Sequence, residues 1–438
     1  MRIHFGIAPT ACLSLLLVAA WGGALAQGKY PDTLIGDAGG LRTRLAGVGL
    51  RPELGYTREY TRNASGGTRQ GSVNYGELDF KLTLDGQKAF GITGLSAYVH
   101  ALDTHGADPA TLVGDAQGVS NIAAPRRTRL FEAWVQRNFP AQRVSILAGR
   151  FDLNAEFYRL DASDLFHHSS FGIGPEVSQT GQGGPSIFPE SAFGLRGEAR
   201  VAALVFRAAV LNGVPAAVPR ADGSKGLHRP GDGALVVGEV ALQLPFNPNA
   251  DQRTRSRRLR LGRAAHEIER TTKLAIGTWH YTASFEDLAR TAPDGSPLRQ
   301  RGNSGVYLVG EQLVYRDPAQ RARRARVFAQ IGFGDDRVSR FSSYTGVGMA
   351  FTGAFPARRD DELGIALARA RNSNAYLEQQ RAVGVAPAGA ETTLELTYLA
   401  ALRPWLSMQV SLQRVHRPNT DPALRDATVG QVRVEVAF

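Results

Sequence analysis

The chain has 438 residues and a formal charge of +11, from 51 lysine and arginine against 40 aspartate and glutamate residues. Its single cysteine, Cys12, lies in the amino-terminal segment discussed next, so the rest of the chain excludes disulfides, thiolate metal sites and a cysteine nucleophile. After that segment no run of eighteen apolar residues remains, which excludes helical membrane spans, and the 49 glycines with many short alternating runs favour extended structure.

Residues 1–26 predict a secretory signal peptide. Arg2 precedes the apolar run 11–20, and the small-residue site Ala24-Leu25-Ala26 follows it. An uncleaved anchor is the alternative, but the run is shorter than the ~20 residues of a spanning helix. The exported chain is therefore expected to begin near Gln27, and export excludes nucleic acid as a partner.

Alternation of apolar and polar residues predicts sixteen strands. In 428–438, Val432, Val434 and Val436 share one face, while Arg433 and Glu435 share the other. This pattern is typical of strands between lipid and a wet lumen, although a single such strand also fits a soluble sandwich. An even number suits a closed transmembrane barrel, spanning 48–438. The predicted strands are 48–62, 72–85, 93–103, 127–139, 143–153, 190–201, 203–213, 234–246, 272–285, 303–315, 324–334, 342–355, 362–371, 390–402, 404–416 and 428–438.

The connections favour the same architecture, because such barrels have short periplasmic turns and long outer loops. Short predicted connections are 140–142, 202, 317–323, 356–361 and 403. Long ones, rich in Gly, Pro, Asn or Asp, are 104–126, 154–189, 214–233, 286–302 and 372–389. The arginine-rich segment 247–270 does not fit this alternation of short and long connections, because it is long but falls on the periplasmic side. It is either a solvated basic insertion or a periplasmic contact with an acidic partner or lipid head groups.

Three motifs carry a family resemblance. The first is Gly36-Asp37-Ala38-Gly39-Gly40-Leu41-Arg42-Thr43-Arg44-Leu45. The second is Arg129-Leu130-Phe131-Glu132-Ala133-Trp134-Val135-Gln136, followed by Leu147-Ala148-Gly149-Arg150-Phe151-Asp152 and Glu156-Phe157. The third comprises Leu165-Phe166, Phe171-Gly172 and 189–196.

Together these motifs resemble the OprB-type carbohydrate-selective porins, best over 36–200. Ala38 departs from the pattern, since the family usually has Trp there. The resemblance implies that 27–47 is a periplasmic segment with a short helix at the barrel entrance. It also implies that the long outer loop 154–189 folds inward to set the pore size.

The polar parity of the strands predicts the residues that line the pore. The inward-folding loop adds Glu156, and it also carries His167 and His168, which are either solvated polar residues or a metal or pH-switch pair. The predicted pore-lining residues are Glu132, Trp134, Gln136, Arg150, Asp152, Glu156, Arg196, Glu198, Arg200 and Arg326.

A lumen with both charge signs and aromatic faces suits hydroxyl-rich neutral solutes, which predicts passive, weakly selective diffusion of small sugars across the bacterial outer membrane. An anion-selective or general-diffusion porin is the alternative, supported by the basic charge. A barrel enzyme is a further alternative, with His280 and His416 as candidate bases, but no nucleophile motif surrounds them. No cofactor or metal is expected. Expected partners are sugars and outer-membrane lipid, and a homo-oligomer is left open.

Overall fold

A computed structural model describes residues 30–139, 143–215, 231–244, 271–320 and 322–438. Sixteen strands dominate these residues. They are β1 Leu50–Ser65, β2 Gly71–Asp85, β3 Leu95–Gly106, β4 Arg127–Asn138, β5 Val144–Phe151, β6 Ala192–Val201, β7 Leu204–Asn212, β8 Ala234–Leu244, β9 Thr272–Thr291, β10 Pro297–Arg316, β11 Arg324–Gly334, β12 Phe341–Thr352, β13 Glu362–Asn372, β14 Ala390–Arg403, β15 Leu406–His416 and β16 Ala427–Ala437. Within the described ranges, no helix has the length and apolar character needed to cross a membrane.

The sixteen strands form one closed antiparallel barrel. Each strand pairs with its neighbours in sequence, and β1 pairs with β16 to close the sheet, with Gly55 opposite Ala437 and Thr57 opposite Glu435. Closure pairs both edges of each of these sixteen described strands, which a sheet in lipid requires. The predicted sixteen-stranded barrel is confirmed.

The barrel is apolar outside and polar inside. On β15, Met408, Val410 and Leu412 are 38%, 40% and 53% exposed on the outer face. The alternate residues Gln409 and Gln413 are buried inside. An apolar outer band with buried polar groups is the inverse of a water-soluble core, and it suits a wall with lipid outside and a polar interior.

One β-bulge changes the inward face of β4. Between His100 and Ala101 on β3, the register shifts so that they oppose Glu132 and Leu130. Phe131 is the extra residue, and both Phe131 and Glu132 are buried. The bulge therefore moves the inward parity of β4 from odd to even residue numbers, which places Glu132, Trp134 and Gln136 on the inner face.

The connections differ from the predicted ones at one place. The segment 286–302 was expected to be a long outer loop, but β9 and β10 continue as a paired hairpin, with Phe285 opposite Gln300, and only 292–296 connect them. Cross-strand hydrogen bonds do not depend on lipid, so the ladder can extend beyond the wall. The predictions for 1–26, 140–142, 247–270 and most of 214–233 lie outside the described residues.

A short helix, α1 (Leu41–Gly47), lies beside the start of β1 and the end of β16. Asp37 accepts hydrogen bonds from the main-chain N–H and the hydroxyl of Thr43, at 2.8 and 2.6 Å. Arg42 donates to the carbonyls of Pro52 and Phe438. The bonds of Asp37 hold the segment's own fold, and those of Arg42 fasten the segment to the barrel end that carries the short turns.

The long outer connection 152–191 folds into the barrel, as the resemblance implied. It contains α4 (Leu153–Glu156), two 3₁₀ turns (Ser163–Leu165 and Ser169–Phe171) and α5 (Pro175–Ser178). Of the two short helices that precede it in the chain, α2 (Gly86–Phe90) lies beside α1 at the end with the short turns, where Lys88 Nζ donates to the carbonyl of Ala46, and α3 (Ala110–Val113) lies on the outer connection between β3 and β4. The apolar side chains of 152–191 pack against inward residues of the wall in one buried cluster. Members from the loop include Phe157, Tyr158, Leu165, Phe166 and Phe171, and members from the wall include Val205, Trp279, Tyr307, Phe328 and Tyr344.

Candidate functional site

Wall glutamates hold the inward loop by its main chain. Glu395 on β14 accepts hydrogen bonds from the main-chain N–H groups of His167 and His168, at 2.8 and 3.0 Å. Buried N–H groups need acceptors, and charged acceptors make stronger bonds than neutral ones. Three further pairs act in the same way: Glu132 with Asp152 N at 3.0 Å, Glu239 with Tyr158 N at 2.9 Å and Glu311 with Ala162 N at 2.8 Å.

Wall donors bind the loop carbonyls. Lys273 Nζ donates to the carbonyl of Arg159 at 2.5 Å, and Gln330 Nε2 donates to that of Phe171 at 2.9 Å. Acceptors and donors on the wall therefore bind both N–H and carbonyl groups of the loop backbone, which buried backbone groups require. The polar lumen therefore positions the loop as well as contacting solvent.

A second outer connection, 107–126, also enters the barrel, which the sequence did not predict. Glu391 accepts hydrogen bonds from the N–H groups of Ala116 and Gln117, at 2.9 and 3.1 Å. Gln413 donates to the carbonyl of Val119 at 2.9 Å. The two inward loops meet where Asn121 N donates to the carbonyl of His167 at 2.7 Å.

An ion-pair network links the long loop to strands β6 to β8. Glu156 of the loop lies 3.3 Å from Arg196 and 3.9 Å from Arg207. Arg207 also pairs with Glu198 at 2.7 Å and with Glu239 at 3.4 Å. Each charge in this buried set has a partner of opposite sign, which burial of charges requires.

The structure places most of the predicted pore-lining residues on the inner face. Trp134 stacks on Tyr98 with ring centroids 5.0 Å apart, and Gln136 Oε1 accepts from Arg196 at 2.9 Å. Arg200 pairs with Glu198 at 2.9 Å, and Arg326 lies 3.9 Å from Glu311. The sequence predicted that these residues share the inner surface of the barrel, but it did not identify the residues with which they stack, hydrogen-bond or form ion pairs.

Arg150 is an exception, and its predicted inward direction is wrong. On β5 the inward residues are Ser145 and Leu147, so alternation turns Arg150 outward with Ile146. Its guanidinium donates to the carbonyl of Ser191 at 3.1 Å and lies over the ring of Phe193, at 5.8 Å from its centroid. Asp152 follows the end of the strand, so strand alternation does not set its direction. It is buried, and it caps the start of α4 by accepting a hydrogen bond from Asn154 N at 2.9 Å.

We expect Arg150→Ala to leave single-channel conductance and its reduction by glucose unchanged, because this side chain lies on the outer face of the wall. Arg196→Ala removes a buried inward charge of the same type and should change both quantities. Planar-bilayer recordings of the two variants under identical salt test this difference. A changed ion selectivity in Arg150→Ala would contradict the outward placement.

The histidine pair of the loop is buried, so the expectation of solvated side chains is wrong. Burial lowers the pKa of both His167 and His168 to about 3. Burial also raises the pKa of Glu176 in the same loop to about 7. Both imidazoles are therefore neutral at physiological pH. Across the described ranges, no group of three or more His, Cys, Asp and Glu side chains is arranged to hold a metal ion.

The two histidines considered for catalysis lie on the outer surface. His280 Nδ1 is 2.7 Å from Ser304 Oγ, and His416 Nδ1 is 2.9 Å from Asp426. Both are exposed, and β9 and β15 turn them away from the lumen.

A cavity of about 170 Å³ lies between the inward loops and the wall. We call it the lumen cavity. Three carboxylates, one guanidinium and three carboxamides line it, together with apolar side chains that include Ile122, Ile173 and Phe188. The charged and amide side chains are Glu77, Asp164, Glu435, Arg433, Asn121, Asn154 and Gln409.

The lumen cavity draws on residues that the predicted set did not contain. Arg433 pairs with Glu59 at 2.6 Å and donates to Asn121 Oδ1 at 2.8 Å. The polar parity of 404–416 and 428–438 already indicated that Gln409, Arg433 and Glu435 share an inner face. Asp164 lies on the loop 154–189, which the family resemblance implied would reach the constriction. Nothing in the sequence indicated that Asn121 would meet these residues.

Comparison with known proteins identifies relatives. Porin B of Pseudomonas aeruginosa is 23% identical over 184 residues, which cover 37% of this chain and 40% of Porin B, so this curated match spans less than half of that relative. The high-pH structure of Pseudomonas putida OprB superposes with a TM-score of 0.79 at 19% identity, covering 93% of this chain and 98% of that one. OmpF of Salmonella typhi, solved with daunomycin, superposes with a TM-score of 0.52 at 10% identity, covering 90% and 98%.

These superpositions show a shared porin fold. The sequence profile described as carbohydrate-selective porin, OprB family, matches residues 69–438, which include every strand after β1 and nearly all of the barrel. The chain therefore belongs to the OprB family of carbohydrate-selective porins.

Proposed function

We propose that this outer-membrane protein lets small neutral sugars diffuse passively through a lumen narrowed by its two inward loops. The lumen cavity is the observation that carries the proposal. Its carboxylates and guanidinium, with carboxamides beside them, can accept and donate hydrogen bonds to sugar hydroxyls. The family description, carbohydrate-selective porin, supports the same solute class.

The charge of the lumen cavity favours a neutral solute over an anion. Three carboxylates, Glu77, Asp164 and Glu435, face one guanidinium, that of Arg433. Anion-selective pores concentrate arginine or lysine at the constriction, and this lining has the opposite balance. The formal charge of +11 belongs to the whole chain and is not concentrated at this cavity.

Passive diffusion needs neither a cofactor nor energy coupling, because solute moves down its gradient through water. We propose that the wall and loop side chains bind solute weakly, since tight binding would trap the solute and slow the flux. We assign the outward histidines His280 and His416 no catalytic role. The partners we propose are sugar, as the transported solute, and the lipid around the barrel. Association with further copies of the chain is left open.

Single-channel conductance in a planar bilayer, with glucose titrated into the chamber, tests the proposal. We expect stepwise conductance that glucose reduces saturably, with weak cation preference. Phosphate blocking in place of glucose, with strong anion selectivity, would favour the anion-pore alternative. The absence of conductance in protein with intact barrel circular dichroism would contradict both porin proposals.

A further inference from the structure

A basic cleft lies on the outer surface of the barrel, near the ends of β13 to β15 that carry the long connections. It has a volume of about 460 Å³ and is lined by the side chains of Arg369, Arg371, Thr392, His416 and Arg417. All three arginines are exposed. None of these residues faces the lumen, so the cleft is separate from the solute path.

The strand register places the cleft directly above the apolar band. Arg369 is opposite Thr392, which is opposite His416, and these three form one outward row. In the outward row that lies two residues nearer the periplasm, Leu367 is opposite Leu394. The following row is apolar on all three strands: Ile365, Leu396 and Leu412. Rows two residues apart are about 7 Å apart, so cationic groups and lipid-facing side chains lie within one lipid molecule's length.

The positive charge of the cleft is not neutralised by the chain itself. Within the described ranges, neither Arg369 nor Arg371 nor Arg417 forms a side-chain ion pair with a carboxylate. The nearby carboxylate of Asp426 is directed to His416, at 2.9 Å, and to Arg414, at 3.4 Å. Three guanidiniums around one cleft offer a set of charged donors that suits a phosphate group.

We propose that this cleft binds the phosphate group of a lipid in the outer leaflet, whose acyl chains lie on the apolar rows beneath. The apolar rows favour a lipid over free phosphate, which would gain nothing from them. A symmetric contact with a second copy is disfavoured, because it would set arginine against arginine. The site would fix the height of the barrel in the membrane at this side of the wall.

Native mass spectrometry of the full-length protein purified in detergent, titrated with lipid A, tests the proposal. The variant Arg369→Gln/Arg371→Gln should bind lipid A about a hundredfold more weakly, since it removes two charged donors and each charged hydrogen bond is worth about a factor of ten. Arg299→Gln/Arg301→Gln is the matched control. It removes the same two charges from exposed positions on β10. Lipid A stripped of phosphate should bind wild type and both variants equally weakly.

Several results would overturn the proposal. Equal weakening in the variant and the control would show a general charge effect, and undiminished binding of dephosphorylated lipid would show that phosphate is not recognised. Inorganic phosphate binding as tightly as lipid A would assign the cleft to a free anion. A change in the number of chains per particle, with lipid A binding intact, would assign it to contact between copies. Unchanged conductance of both variants would confirm that they fold, because their side chains lie outside the lumen.

Discussion

Glu395→Ala is expected to raise single-channel conductance and weaken its reduction by glucose. The substitution removes the carboxylate that accepts from His167 N and His168 N, and both of these donors are buried. A buried donor that loses its acceptor costs about 1–3 kcal/mol, so two such donors destabilise the docked loop by about 2 kcal/mol or more. The loop is then displaced from the lumen for a measurable fraction of the time.

Planar-bilayer recording measures this effect as a larger mean conductance with more frequent transitions. Glu286→Ala is the matched control, since Glu286 also lies on a strand but is exposed and accepts no bond from the inward loop. We expect the control to behave as wild type. Identical conductance and identical glucose response in Glu395→Ala would show that Glu395 does not hold the loop.

Arg433→Gln is expected to change both selectivity and stability. Arg433 is the guanidinium among the charged side chains that line the lumen cavity, so its loss leaves three carboxylates there and should increase cation selectivity. The same change leaves Glu59 buried without its partner at 2.6 Å. Breaking one side of a buried ion pair costs about 3–5 kcal/mol.

The double variant Glu59→Gln/Arg433→Gln separates these two effects. Neutralising both partners should restore much of the stability, because no uncompensated buried charge remains. Cation selectivity should stay high, since Glu77, Asp164 and Glu435 are unchanged. Reversal potentials in a salt gradient measure selectivity, and urea unfolding in detergent measures stability. A double variant with wild-type selectivity would show that Arg433 does not act at the constriction.

Sequence reasoning failed where the chain leaves regular strand geometry. Arg150 was counted inward together with Asp152, but β5 ends at Phe151 and the buried position of Asp152 comes from the turn into α4. The prediction of a long loop over 286–302 failed for a related reason. Gly, Pro and Asp in 293–296 indicate a tight turn but do not show how far the paired strands extend on either side of it.

The sixteen strands, the inward parity of residues such as Gln409 and Arg433, and membership of a porin family were determined by the sequence itself. Alternation is a local property, since lipid on one side and a polar interior on the other act on each strand separately. The paths of the two inward loops were decided only by tertiary structure. Glu395 meets His167 across 228 residues, and Gln413 meets Val119 across 294. Such contacts depend on how a loop crosses the closed barrel, and no periodicity within either segment encodes the partner on the opposite wall.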